Sequence, residues 1–287
     1  MKKSCHVVLI VILILVLALS GCGGSNKSSS GYTGVAFTMI AVPSQSYKIA
    51  QTEVTYELWN AVYTWALANG YTFANAGTKG SSGSGSDQQP VTTVSWRDAM
   101  VWCNALTEYY NAKSGTSYTC VYTYSDAIVR NATDTTACDV TAGSTAKGFR
   151  LPTSDEWYQA ARYIDGTNCY PDTYASGADA TYDATGGGSD YDGDEDVQYT
   201  GDVAVYSANS GSATAVVKSK SPNKLGLYDM SGNVLEWCFD WSINDFSRVR
   251  RGGCCNNGVA DMQLGSFVDF PVLGSSSSLG FRPVRMN

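Results

Sequence analysis

The sequence predicts an irregular α+β domain with long loops, and three observations lead there. Three segments carry apolar residues at helical spacing between recognisable start and stop signals. The rest holds short runs containing Val, Tyr and Phe, separated by Gly and Asn, which read as irregular strands. No segment recurs at a fixed period, so solenoids and propellers are not expected. Aromatic residues, at 12% of the chain, are ample for a core, while a charged fraction of only 16% and 29 glycines favour long connections.

Taken in order, the chain opens with Met1-Lys2-Lys3 and a run from Val7 to Leu19 made only of Val, Leu, Ile and Ala. That run falls short of the ~20 residues a bilayer span requires, so residues 1–21 read as a secretory signal. It closes at Leu19-Ser20-Gly21-Cys22, which resembles the bacterial lipobox. The resemblance implies that Cys22 carries lipid and becomes the new N-terminus, anchoring the chain to a membrane. Residues 22–34 are rich in Gly, Ser and Lys and read as a flexible tether, leaving 35–287 as a single domain.

The first helix is expected over Glu57–Asn69, with Trp59, Val62, Tyr63 and Ala66 on one face and Gly70 as its stop. The second is expected over Ser95–Lys113, with Ser95 and Asp98 as an N-cap pair and Gly115 beyond its end. The third is expected over Leu151–Tyr163, where Thr153 and Glu156 form a capping box ahead of Trp157, Ala160 and Ala161. Low-complexity stretches at Gly77–Gln89 and Ala175–Asp202 read as loops. The acidic run Asp190–Asp196 fails the EF-hand test, since the positions that want Gly and Glu hold Glu195 and Gly201.

Composition bounds the chemistry. The sole histidine, His6, lies in the signal segment, so the mature chain lacks the usual acid–base residue and metal ligand. Losing Lys2 and Lys3 takes the formal charge from −7 to −9, which argues against a nucleic-acid partner. Beyond Cys22 an odd set of cysteines remains: Cys103, Cys120, Cys138, Cys169, Cys238, Cys254 and Cys255. Cys103 and Cys238 adjoin Trp in apolar segments and are expected to pack as small hydrophobes; Cys138 and Cys169, in polar surroundings, are the candidates for a bridge.

A dozen short motifs in order resemble one family, the formylglycine-generating enzymes. They include Gln51-Thr52-Glu53-Val54-Thr55, Val94-Ser95-Trp96, Trp102-Cys103-Asn104 and Gly148-Phe149-Arg150-Leu151-Pro152-Thr153. Gly226-Leu227-Tyr228-Asp229-Met230, Gly232-Asn233-Val234, Glu236-Trp237, Arg251-Gly252-Gly253 and Gly280-Phe281-Arg282 continue the series. The resemblance implies a C-type-lectin-like fold whose termini approach each other. It also implies two copper-binding thiols at the fourth and ninth positions after Arg-Gly-Gly, where this chain has Asn257 and Met262. Neither supplies a thiolate, which a soft monovalent metal needs, so catalysis of that type is not expected and no catalytic residue is assigned.

The same segment reads as a recognition surface. Cys254–Ser278 contains no Lys, Arg, Glu, Trp, His or Tyr, and apart from Met262 and Gln263 every residue type in it has a codon ending in C. With its Arg-Gly-Gly and Leu-Gly-Phe-Arg boundaries, the region 248–285 is similar to the variable region of diversity-generating-retroelement lipoproteins. The residues expected to face a ligand are Cys255, Asn257, Gly258, Ala260, Asp261, Ser266, Phe267, Val268, Asp269, Phe270, Val272 and Leu273, with the two Phe side chains as anchors. The expected role is a lipid-anchored binding protein of the outer membrane, displayed at the cell surface, whose partner is a protein or glycan on another cell. The alternatives are a formylglycine-type oxidoreductase using Cys254 or Cys255 with a metal, and a structural envelope lipoprotein. The family resemblance also implies a structural calcium at Asp229, Gly232, Val234 and Glu236, the middle two through their carbonyls. Against it stands a simpler reading, in which Asn233 stabilises a turn and Glu236 pairs with an Arg such as Arg282.

Overall fold

The first strands form where the sequence alternates before its first helix. In the computed structural model, which describes residues 32–138, 146–179, 198–243 and 246–287, β1 (Met39–Ala41) and β2 (Tyr47–Ala50) pair as an antiparallel hairpin. The signal segment, Cys22, most of the tether and the acidic run 190–196 lie outside the described residues.

α1 (Tyr56–Leu67) starts one residue early because the Thr55 hydroxyl accepts from the Leu58 N–H. It ends before Asn69, the chain already turning toward Gly70 at φ +81°. After β3 (Thr78–Lys79) and β4 (Val91–Thr92) comes α2 (Trp96–Ser114), with the expected Ser95/Asp98 capping box and Gly115 in the left-handed conformation at its end. β5 (Thr123–Tyr124), β6 (Ala127–Ile128), α3 (Thr135–Cys138) and β7 (Phe149–Arg150) lead to α4 (Ser154–Ala161). α4 has the Thr153/Glu156 box but is shorter than expected: Leu151 and Pro152 precede the cap, and Tyr163 bridges Cys169 as extended chain. Each cap satisfies helix N–H groups that have no partner within the helix, an effect worth about 1 kcal/mol.

After α5 (Thr200–Val203), the C-terminal third supplies β8 (Leu235–Trp241), β9 (Ser247–Arg251), β10 (Phe267–Pro271), β11 (Leu279–Gly280) and β12 (Val284–Met286). One four-stranded sheet has the order β1-β2-β12-β7 and the other β10-β9-β8-β11. In the first, Val284 pairs with Ile49 and Met286 with Tyr47, so the two ends of the domain share one sheet. The approach of the termini implied by the family resemblance is therefore present.

Two apolar clusters hold these layers. Trp59 and Trp102 stack with ring centres 5.6 Å apart, and Phe281 meets them edge-on at 6.0 and 5.3 Å, tying the C-terminal segment to α1 and α2. The second cluster joins Trp157 of α4 to Met230, Cys238, Val249, Leu264 and Val284. Cys103 and Cys238 are buried in these cores, as expected of small hydrophobes. The expected Cys138–Cys169 bridge is not formed. Cys138 is buried against the α1/α2 cluster with its thiol donating to Asn131 O at 3.3 Å, whereas Cys169 sits in the extended pair with Tyr163.

Candidate functional site

The recognition segment hangs from a frame fixed by buried charge. Glu236 on β8 receives Arg282 Nε at 2.9 and 2.8 Å and Arg282 Nη2 at 2.6 Å, and its second oxygen also accepts from Trp157 Nε1 at 2.8 Å. Both partners are essentially inaccessible to water. Arg282 further donates to the carbonyls of Ala50, Tyr228 and Asp229, so one guanidinium clamps both sheets and the turn before β8. On β9, Arg248 is buried with its guanidinium 3.7 Å from the Trp96 ring centre and 3.4 Å from that of Trp241.

Beyond β9 the chain turns sharply through Gly252 and Gly253, at φ +93° and +69°. A Cβ on Gly253 would lie 2.3 Å from Met262 Cε and 2.6 Å from Asp261 O, so only glycine fits. Met262, the position of the second implied thiol, is buried in a small apolar cluster with Ala175, Val203 and Tyr206. Asn257, the position of the first, turns its Oδ1 back to accept from the Cys254 N–H at 3.0 Å. The pair serves as packing and turn closure.

From there the expected ligand-facing residues divide. Cys255 is a correction: it is fully buried, its N–H donates to Asn233 O and its carbonyl accepts from Ser210. The cause is local. Two successive left-handed glycines redirect the chain, so alternation counted from β9 does not carry past them. The thiols of Cys254 and Cys255 lie together, and the donation from Cys255 holds Cys254 low, at about 6, while Cys255 is pushed up. Gly258 and Ala260 are exposed, and Asp261 is half-buried with Oδ2 accepting from the Gly258 N–H at 3.2 Å.

β10 is an edge strand whose register runs from Phe267 opposite Arg251 to Pro271 opposite Ser247. Phe267, Val268, Asp269 and Leu273 are exposed, while Ser266, Phe270 and Val272 are half-buried. Phe270 leans on Trp237, 6.1 Å between ring centres, so of the two expected anchors it is the one tied to the core. Asn257, Asp261, Ser266, Phe267 and Val268 come together with Leu235, Arg250 and Arg251 around a cavity of about 170 Å³. A larger cavity, about 430 Å³, lies elsewhere, between Phe37, Gln51, Glu57 and Lys218.

Sequence reasoning missed three contributors. Arg250 lines the cavity from β9, and Ile243 and Phe246 on the β8–β9 turn stand almost wholly in solvent. Phe246 joins the edge directly, since its carbonyl accepts from the Val272 N–H at 3.3 Å. A signal existed: two large apolar residues flanking a polar turn have no core to enter. Of eight exposed large hydrophobics among the described residues, Ile243, Phe246, Phe267, Val268 and Leu273 belong to this hairpin system.

At the turn before β8, Asn233 takes a left-handed φ of +58° and donates to Glu53 Oε2 at 2.7 Å. Glu53 also accepts from the Val234 N–H at 3.0 Å, and Asp229 from the Lys218 N–H at 2.8 Å. The simpler reading of this turn is thus visible in the side chains, with Glu236 engaged by Arg282. A cation bound through Asp229, the Gly232 and Val234 carbonyls and Glu236 would share Glu236 with that guanidinium. Burial pushes Asp229 up to about 6, and burial together with the charges of Asp229 and Glu236 raises Glu53.

The family model described as the sulfatase-modifying factor enzyme 1-like domain matches residues 22–287. Among known proteins, Chaperone protein LppX of Paenibacillus barcinonensis is 31% identical over 221 residues, spanning 71% of this chain and 72% of that protein. Two solved structures share the architecture. CarF superposes with a TM-score of 0.65 at 28% identity, covering 90% of this chain and 96% of its own. Treponema denticola variable protein 1 superposes with a TM-score of 0.62 at 27% identity, covering 90% and 94%.

Proposed function

The chain belongs to the sulfatase-modifying factor enzyme 1-like family, and from that premise we propose that it is a lipid-anchored binding protein, without formylglycine-type catalysis, whose β9–β10 hairpin is a diversified recognition surface. One observation carries the reading. Exposed apolar side chains are concentrated on a hairpin whose frame is a buried ion pair and a packed two-sheet core, the arrangement in which contact residues lose little freedom on binding. Similarity to a treponemal variable protein over 90% of the chain supports it, and the chaperone name of the Paenibacillus relative agrees with a protein ligand. Asn257 and Met262 in the thiol positions weigh against copper chemistry.

Three experiments test this. Coding DNA for 248–285 should have a near-copy beside a reverse transcriptase gene, differing where the copy has adenine, and isolates should differ within Cys254–Ser278. Identical residues in every isolate contradict diversification. Separately, oxygen uptake on a cysteine-containing peptide with added copper should stay at background; turnover abolished by changing Cys254 and Cys255 to Ser restores the oxidoreductase. Anchoring through Cys22 at the outer-membrane surface is tested by labelling intact cells with protease and by substituting Cys22→Ala, which should release the protein.

The proposal keeps a structural calcium at Asp229, Gly232, Val234 and Glu236, because three buried carboxylates, Glu53, Asp229 and Glu236, act on one another around the single guanidinium of Arg282; no three of these side chains converge as a metal group among the described residues, so the two carbonyls would have to complete the site. A hard cation would neutralise that surplus. Chelation should then lower the melting temperature by several degrees, because a ligand that binds only the native state stabilises it. An unchanged melting curve contradicts the calcium and leaves the Arg282 clamp as the whole account of the turn.

A further inference from the structure

Within the hairpin cavity, Arg250 and Arg251 form no salt bridge among the described residues, and the Asp269 carboxylate and Cys254 act on Arg250 only through space. Arg250 lines the cavity beside Leu235, Asn257, Asp261, Phe267 and Val268. Its register opposite Trp237 on β8 and Val268 on β10 places its guanidinium 4.4 Å from the Phe270 ring centre. Its Nη2 donates to Asp269 O at 2.8 Å, but its Nε is buried with no partner. Among the described residues no carboxylate lies within ion-pair distance of it. Arg282 by contrast has Glu236, and Arg251, though without a carboxylate, spends its donors on Ser154 Oγ and the carbonyls of Leu264 and Ser266. Asp261, also in the cavity wall, spends one oxygen on the Gly258 N–H.

A partly desolvated guanidinium favours an incoming anion, and with Nη2 engaged by Asp269 O and Nε buried, Nη1 is the nitrogen left to meet a carboxylate. The cavity, about 170 Å³, admits the end of a side chain rather than a whole small molecule. Its apolar rim is Phe267 and Val268, both exposed and suited to protein side chains more than to hydroxyl-rich sugar, while Phe246 and Leu273 extend the apolar surface at the other end of β10. Arg250 precedes Cys254, so it lies outside the segment of unusual composition.

We propose that Arg250 is a fixed anchor of the recognition face, receiving the carboxylate of an Asp or Glu side chain from a protein ligand while the apolar rim takes that residue's neighbours. The inference rests on the reading of this face as a recognition surface. Its consequence is a division of labour: variants of 254–278 change which acidic segment is chosen, and Arg250 keeps the preference for acidity constant.

The test is selection of phage-displayed random peptides on the full-length chain in detergent, run in parallel on Arg250→Gln, Arg250→Lys and a Phe267→Ser/Leu273→Ser double variant. The wild type should enrich Asp and Glu several-fold beside apolar residues. Changing the acid of a selected peptide to its amide should weaken binding about tenfold to the wild type and scarcely at all to Arg250→Gln, with Arg250→Lys intermediate. Arg250→Gln should bind the amide peptide as tightly as the wild type does, which a misfolded variant could not. Peptides that lose binding to the double variant yet show no acidic enrichment overturn the anchor and leave the recognition face standing. Peptides indifferent to the double variant overturn the face itself. Binding of a uronate oligosaccharide through Arg250, without any acidic peptide, overturns the protein-ligand claim.

Discussion

At the scale of single residues, the Glu236–Arg282 pair decides most. A buried pair is not strongly favourable against an apolar replacement, but removing one partner leaves a bare charge in a low-dielectric interior. Arg282→Met should therefore destabilise the chain by about 3–5 kcal/mol, read as a lowered denaturant midpoint. A loss below about 1 kcal/mol would mean the clamp is dispensable. Gly253 makes a second prediction, because its φ of +69° and the 2.3 Å approach of Met262 Cε leave no space for a methyl group. Gly253→Ala should cost more than about 1 kcal/mol, and pairing it with Met262→Ala should recover part of the loss. Some of this was legible in the sequence. Pairing of Glu236 with an Arg such as Arg282 followed from the need of a buried carboxylate for a partner, and the Ser95 and Thr153 caps followed from hydroxyl and carboxylate spacing. The position of Cys255 was not, because side-chain direction after two left-handed glycines depends on dihedral angles that residue types do not encode. Arg250 was missed for a related reason: on a strand, a guanidinium declares itself only when the nearby acids, here Asp261 and Asp269, prove to form no salt bridge with it.

At the scale of elements, the β9–β10 hairpin combines a fixed strand with an exposed one. β9 is held by Arg248 between two tryptophans, whereas β10 is an unpaired edge that elsewhere would invite aggregation. Exposed apolar residues on such an edge are tolerated if a partner covers them. Phe267→Ser with Leu273→Ser should leave thermal stability within about 0.5 kcal/mol per site and lower the binding of a hydrophobic dye. A large fall in stability would place these side chains in the core. The helices were the legible elements, since period, caps and stops all agree over each of them. Their ends shifted where tertiary pairing took over, as at Tyr163 and Cys169. Strands of two or three residues were beyond sequence reasoning, because so short a run has no measurable alternation.

At the scale of the whole molecule, the fold is closed by its own C-terminal strand. β12 joins β2 to β7, and Val284 is buried in the second core, so the ordering of residues 47–50 depends on residues 284–286. Deleting Val284–Asn287 should abolish cooperative unfolding rather than trim a tail; retention of a sharp transition would show that the first sheet stands without its central partner. Stacking of Trp59 on Trp102 under Phe281 carries the same closure into the helical layer. The architecture as a whole was legible only through the ordered motifs that mark the family. Composition and period yield an α+β class, but the contact of the two ends is a long-range pairing that no local pattern specifies.

The central claim is that the exposed residues between Gly258 and Leu273 provide contacts without holding up the fold. Melting the full-length chain with Ala260, Phe267, Val268, Asp269 and Leu273 all replaced by small polar residues tests it most directly. The account predicts one sharp transition displaced by no more than about 10 °C, as expected for exposed positions costing about 0.5 kcal/mol each. A broad or absent transition would contradict it.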